Sequence, residues 1–178
     1  GVKLTVTTAL RLSGTLFLLI ALASVSFDGL SKTFFWFWLN GLNPLEYPGR
    51  TALTTINGIG LLASCVVLAA IFLLCVFIGE RLAGSRQGLV TAAGTFVWSI
   101  VPIALAYHFS HYLVALVIDG QYALAAISDP FSNGANLFGT AGYHVIAGAA
   151  TGLDSAWIIW NLQATAIIGG HVLAVLIA

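Results

Sequence analysis

The sequence predicts an all-α integral membrane protein, a bundle of about four transmembrane helices with short interfacial helices in its outer loops. Three observations predict it. Of 178 residues, 60% are hydrophobic and 7% charged, with a mean hydropathy of +1.02. A soluble domain carries about a quarter charged residues, so a water-facing surface cannot be assembled from this supply. The apolar residues gather into four stretches, each able to cross a hydrocarbon core of about 30 Å. Net charge is zero, with six Lys and Arg against six Asp and Glu, and no basic patch exists for nucleic acid.

The first span is predicted from about Leu10 to Phe27. Lys3 and Arg11 stand at its start, but no small-residue cleavage site follows to make it a signal peptide. Beyond it, Phe34-Phe35-Trp36-Phe37-Trp38 is a run of five aromatics. Trp prefers the membrane interface, and such a run suits a short helix lying there as an anchor. Asn43-Pro44 and Pro48-Gly49 read as turns.

The second span is predicted from Ile56 to Ile78, closed by Gly79-Glu80-Arg81. Within it Asn57, Gly60, Ser64, Leu68 and Cys75 form a small and polar stripe. Cys65 and Cys75 lie about 15 Å apart along this helix, too far to bridge, and read as packing thiols.

The third span is predicted from Leu89 to Ile118, inside the longest stretch without Asp, Glu, Lys or Arg, which lies between Arg86 and Asp119. Pro102 removes a backbone donor and is expected to kink the helix. Ala104, His108, His111, Ala115 and Asp119 share one stripe, small apart from the histidines, which is expected to face the bundle with Asp119 at its outer mouth. The following loop, Asp119 to Asp154, is apolar at Ala123–Ile127 and Val145–Ala150 with a turn cluster, Ser128-Asp129-Pro130-Phe131-Ser132-Asn133-Gly134, between them, and is expected to fold back as short interfacial helices. Asp129 before Pro130 reads as a helix N-cap.

The fourth span is predicted from Ser155 to the end. Trp160, Gln163, Ile167, Gly170 and His171 lie on one side, Asn161 and Thr165 on another. The chain opens on Gly1 and contains no Met, so it is expected to be a processed product or a piece of a longer protein. The apolar end, Val172 to Ala178, is expected to continue as helix. The whole reads as a single transmembrane domain, residues 1–178.

Lys and Arg set the expected orientation. Lys3, Arg11, Arg81 and Arg86 fall on one side, Lys32 and Arg50 on the other. Both termini and the Arg81/Arg86 loop are therefore expected in the cytoplasm, and the two long loops outside.

His108 and His111 carry the clearest hint of chemistry, because ionisable groups inside a span are costly without a partner or cavity. His171 is expected on the order of 10 Å from them along the membrane normal, too far for one shared metal. Three readings fit the histidines. They are ligands of a transition metal, with His144 or Asp119 completing the shell. They are steps in a path for protons or solutes. Or they are structural groups bonded to Tyr107, Tyr112 or neighbouring helices. Asp28, Asn57, Asp119, Asp129, Gln163 and His171 are the other candidates, for a polar path or for helix contacts. The sequence contains no GxSxG, HExxH, Walker or Rossmann motif and no CxxCH.

Several strings resemble a bacterial polytopic membrane family known as fenitrothion hydrolase. They are Phe27-Asp28-Gly29-Leu30, Asn43-Pro44-Leu45-Glu46-Tyr47-Pro48-Gly49-Arg50, Ser99-Ile100-Val101-Pro102-Ile103-Ala104 and Ala106-Tyr107-His108-Phe109-Ser110-His111-Tyr112. Ser128-Asp129-Pro130-Phe131, Leu137-Phe138-Gly139-Thr140, Trp160-Asn161-Leu162-Gln163 and Gly170-His171-Val172-Leu173 follow in order. The resemblance implies the C-terminal portion of a longer polytopic protein, and the family's name implies organophosphate ester cleavage. It marks Asp28, His111, Asp129, Gln163 and His171 without giving their roles. Most of the first span and the segment Gly142 to Asp154 lie outside it.

The sequence thus leads to a bacterial inner-membrane protein surrounded by lipid. It is expected to act as a transporter-like module or as a subunit among other membrane proteins. A metal-dependent membrane hydrolase with an outer-facing site at His108, His111 and His144 is the first alternative, and a proton-conducting path the second.

Overall fold

A computed structural model of the chain describes residues 8–46, 49–84 and 87–178. Lys3, Tyr47, Pro48, Arg86 and the side chain of Arg50, on which the expected orientation partly depends, lie outside the described residues. Within them the protein is an all-α helical bundle without a strand. Four helices are long and apolar enough to cross a membrane.

The first, α1, spans Leu12–Leu30. Thr33 both closes it and opens the next helix. Its hydroxyl donates to the Leu30 carbonyl at 2.7 Å and accepts the Trp36 amide at 3.2 Å. That cap starts α2, Phe34–Leu39, which is the short aromatic helix the sequence predicts. A 3-10 turn at Pro44–Glu46 follows.

The second span is longer than the hydropathy alone suggests. α3 covers Arg50–Leu82, 33 residues or about 50 Å. Gly79-Glu80-Arg81 does not end it. Glu and Arg are good helix formers, and the helix stops only where Gly84 turns left-handed at φ +63°.

The third span is broken and long. α4 covers Leu89–Phe96, a 3-10 turn covers Val97–Ser99, and α5 covers Ile100–Ser128. The break sits one turn before Pro102, because Pro102 offers no N–H to the Trp98 carbonyl four residues back and its ring crowds it. α5 runs ten residues past the predicted end at Ile118. Asp119 is therefore a helical residue, not the start of a loop. From Leu89 to Ser128 the span is 40 residues, about twice the ~20 that a ~30 Å core requires. The end carrying Asp119, Gln121 and Ser128 is the polar one.

Residues 129–152 form turns, as the cluster from Ser128 to Gly134 predicts, but the interfacial helices expected beside it are not formed there. Ala123–Ile127, read as part of the loop, belongs to α5. Asp129 caps a turn instead of a helix, its two carboxylate oxygens accepting the Asn133 and Gly134 amides at 2.9 Å each. Left-handed residues at Ser132 and Gly134 prevent a helix from propagating there. The last helix, α6, spans Leu153–Ile177.

The chain divides into two compact units. The first holds residues up to Tyr107 together with Gly169–Ala178. Its core joins Leu22 and Val25 of α1 to Ala104 of α5, with Leu68, Ile100, Ile103 and Tyr107 packed around them. A second cluster joins Val76 of α3 to Ala92 and Ala93 of α4. Backbones meet closely at Gly94, whose carbonyl accepts the Leu10 amide at 2.8 Å. The second unit is His108–Ile168, which contains most of α5, the turn-rich loop and the first part of α6.

Burial is low because the natural surroundings are apolar. Only 6% of the α3 span window and 17% of the α6 window are covered by the protein itself. Leu62, Val66, Val67, Ile71 and Leu74 all face outward on α3. Such a surface belongs in lipid or against other helices.

Candidate functional site

The histidine pair sits on α5, and both imidazoles are half-buried. Tyr112 serves as their common neighbour. His111 meets its ring edge-on at 4.8 Å and 88°, while His108 lies at 6.2 Å with planes tilted by 40°. The i, i+3 and i, i+4 spacing places these three rings on adjoining positions of one helix surface.

The predicted stripe divides. Ala104 is buried and the histidines are half-buried, but Ala115 and Asp119 are exposed. The buried positions further along α5 are Ala106, Ser110, Leu113 and Ser128. The contact face follows the helix's inner flank rather than the line of the histidines. Small size at Ala115 does not bury it, because no apolar area is gained there.

His144 lies in the turn-rich loop and is exposed. Among the described residues no three His, Cys, Asp or Glu side chains gather into a group that could hold a metal ion. His108, His111 and His144 are thus not drawn together into such a group. His171, in the first unit, is exposed on α6 and faces the Tyr107 ring at 6.3 Å. Cys65 and Cys75 are free thiols.

The remaining candidates join elements. Asp28 binds Lys32 one turn on, at 3.0 Å. Asn57 of α3 accepts the indole N–H of Trp36 at 2.9 Å. Phe27 meets the same indole edge-on, centroid to centroid 5.0 Å. In the second unit Gln163 Nε2 donates to the Ser110 carbonyl at 2.7 Å, and Ser110 Oγ donates to the Gln163 carbonyl at 3.2 Å. These bonds satisfy polar groups that hydrocarbon would otherwise strand.

The turn-rich loop has an organising centre that sequence reasoning missed. Ser128 is fully buried, and its hydroxyl donates to Asn136 Oδ1 at 2.9 Å while accepting the Phe138 and Thr140 amides at 3.0 and 3.3 Å. Asn136 Oδ1 also accepts the Ala141 amide at 3.0 Å. Gln121 binds the backbone of Ile146 through both ends of its amide, accepting at 2.9 Å and donating at 3.3 Å. A signal existed in the sequence, since Ser and Asn beside Gly and Pro favour such local networks. Glu80 was also missed. Its Oε2 is buried without a hydrogen-bond partner among the described residues, while the adjacent Arg81 guanidinium lies 4.9 Å over the Phe77 ring.

These polar side chains hold helices and loops in place. Comparison with protein-family models, with curated proteins and with solved structures gave no match to this chain.

Proposed function

We propose that the chain is one helical module of a larger membrane assembly, as a complex subunit or a transporter-like part. The setting we propose is a bacterial inner membrane with both ends cytoplasmic, resting on the family resemblance and on the placement of Lys and Arg. One observation on α6 carries the assembly reading. Asn161 and Thr165 are exposed, one turn apart, on a helix long and apolar enough to cross a membrane. Asn161 donates one amide hydrogen to the Trp157 carbonyl at 2.7 Å, and among the described residues its other donor and its acceptor meet no partner, leaving them to whatever surrounds the helix. Lipid tails offer no hydrogen bonds, whereas a neighbouring helix does, so this face favours a protein neighbour. Each such interhelical bond contributes about 0.6 kcal/mol on average and up to ~1.7.

The test is native mass spectrometry of the full chain extracted from its own membrane in mild detergent. The expected result is stoichiometric partner subunits, with partner retention reduced by Asn161→Leu. A lone monomer that retains native helicity overturns the reading.

A further inference from the structure

Only Ser31, Lys32 and Thr33 separate the end of α1 from the start of α2. By connectivity, α2 stands where a membrane-crossing helix leaves the hydrocarbon. Its six residues, FFWFWL, include no charge. At about 100° per residue they sort into two faces.

Trp36 and Phe37 are half-buried and turn inward, where Asn57 and Phe27 hold the Trp36 indole. Phe34, Phe35, Trp38 and Leu39 occupy an opposing arc of about 140°, and they are 74, 57, 73 and 57% exposed. A groove of about 420 Å³, lined by Phe34, Trp38, Gly41, Leu42, Asn43 and Pro44, continues this face.

A helix on a water-soluble surface buries its apolar side and shows polar residues to solvent. α2 is turned the other way. Its inward face is fixed by a hydrogen bond and an edge-on ring contact, and its outward face is wholly aromatic and aliphatic. Water is therefore excluded as its natural cover.

We propose that the outward face of α2, with the adjoining groove, is a lipid-binding surface that takes the boundary between ester-linked headgroups and acyl chains. Two features select bilayer lipid over a protein partner. Only three residues separate the face from the exposed end of α1 at Leu30, so the same bilayer meets both. On α2 its one polar group is the Trp38 indole N–H, which suits the ester carbonyls at the interface, and in the groove the Asn43 amide is engaged locally with Leu45 and Glu46, so a protein partner finds little to recognise. Because Trp36 is bonded to Asn57 on α3, lipid held by α2 also fixes the first turns of α3.

The experiment uses the full chain carrying Cys65→Ala and Cys75→Ala in phosphatidylcholine vesicles. Spin labels are introduced singly through Phe34→Cys, Phe35→Cys, Trp38→Cys and Leu39→Cys, and collision rates with oxygen and with a water-soluble nickel chelate are measured. The proposal expects oxygen collisions several-fold above nickel collisions at these positions, and low values for both at Phe37→Cys. Nickel dominance would mean that water covers the face and would overturn the proposal. Shielding from both reagents at the four positions would mean a protein cover and would overturn it equally. Four independent sites keep the test decisive if one substitution prevents folding.

Discussion

Ser110 and Gln163 bond each other's backbones, Gln163 Nε2 to the Ser110 carbonyl at 2.7 Å and Ser110 Oγ to the Gln163 carbonyl at 3.2 Å. The two residues are 53 positions apart and bring α5 and α6 together within the second unit. Each side chain supplies the donor for a carbonyl that already serves its own helix. The pair fixes both the distance and the vertical register of the two helices.

Gln163→Leu removes one of these bonds while nearly preserving volume, and Ser110→Ala removes the other. Each is expected to destabilise the helix pair by about 1 kcal/mol, in the range measured for bonds between membrane helices. The double variant should cost less than the sum, because both bonds restrain one separation. Unfolding in detergent micelles measures this. A change below ~0.3 kcal/mol in Gln163→Leu, the usual error of additivity, would show the bond to be idle.

Ser128→Ala should loosen the loop more than its size suggests. The hydroxyl accepts two backbone amides and is itself fully buried. Leaving those donors without an acceptor costs about 1–3 kcal/mol. Hydrogen exchange at Phe138 and Thr140 is the direct readout, with an increase of about tenfold or more expected, as ~1.4 kcal/mol implies. Unchanged protection at both amides would remove Ser128 from the centre of the loop.

The difference between what the sequence revealed and what it hid follows from range. The four spans were legible because hydropathy is summed over about 20 residues and needs no partner. Pro102 acts within one turn, so the break in the third span was legible as an expected kink, whereas Thr33 and Gly84, which act as locally, went unread. α3 and α5 outran their predicted ends because Glu80, Arg81, Asp119 and Gln121 lower hydropathy without disfavouring helix. The site was less legible. Placing Ala115 and Asp119 on the inner face assumed that small residues mark contact, whereas Ser110 holds the contact through its pairing with Gln163, 53 residues away. Asn57 and Gln163 were recognisable as polar groups needing partners, but the partners, Trp36 and Ser110, depend on tertiary placement.

Gly60→Ala tests how tightly α2 is seated. A methyl group on residue 60 would come within 2.5 Å of the Phe27 and Trp36 rings. Phe27 is buried and the Trp36 indole is held by Asn57, so neither ring yields freely. The expected cost is about 1–3 kcal/mol, typical of overpacking. Trp36 should leave Asn57, and its fluorescence, isolated in a background with the other four Trp changed to Phe, should shift to the red. An unshifted spectrum with full stability would mean that α2 is not seated on Gly60.

Gly169 and Gly170 are adjacent in α6, yet alanine should act on them in opposite directions. A methyl group on Gly169 would meet no atom within 4 Å, whereas one on Gly170 would lie 2.6 Å from Ala106 Cβ and 2.8 Å from the Pro102 carbonyl oxygen. Helix propensity alone favours alanine by up to about 1 kcal/mol at either position. That gain stands unopposed at Gly169, so Gly169→Ala should match or exceed the native stability in detergent. At Gly170 the helix backbone would have to retreat from Pro102, in a part of α5 already weakened by the missing amide. The overpacking cost of about 1–3 kcal/mol outweighs the propensity gain, so Gly170→Ala should unfold at lower denaturant. Thermal unfolding of both single variants in the same detergent decides it. Equal shifts of the same sign would show that α5 and α6 do not approach closely at Gly170.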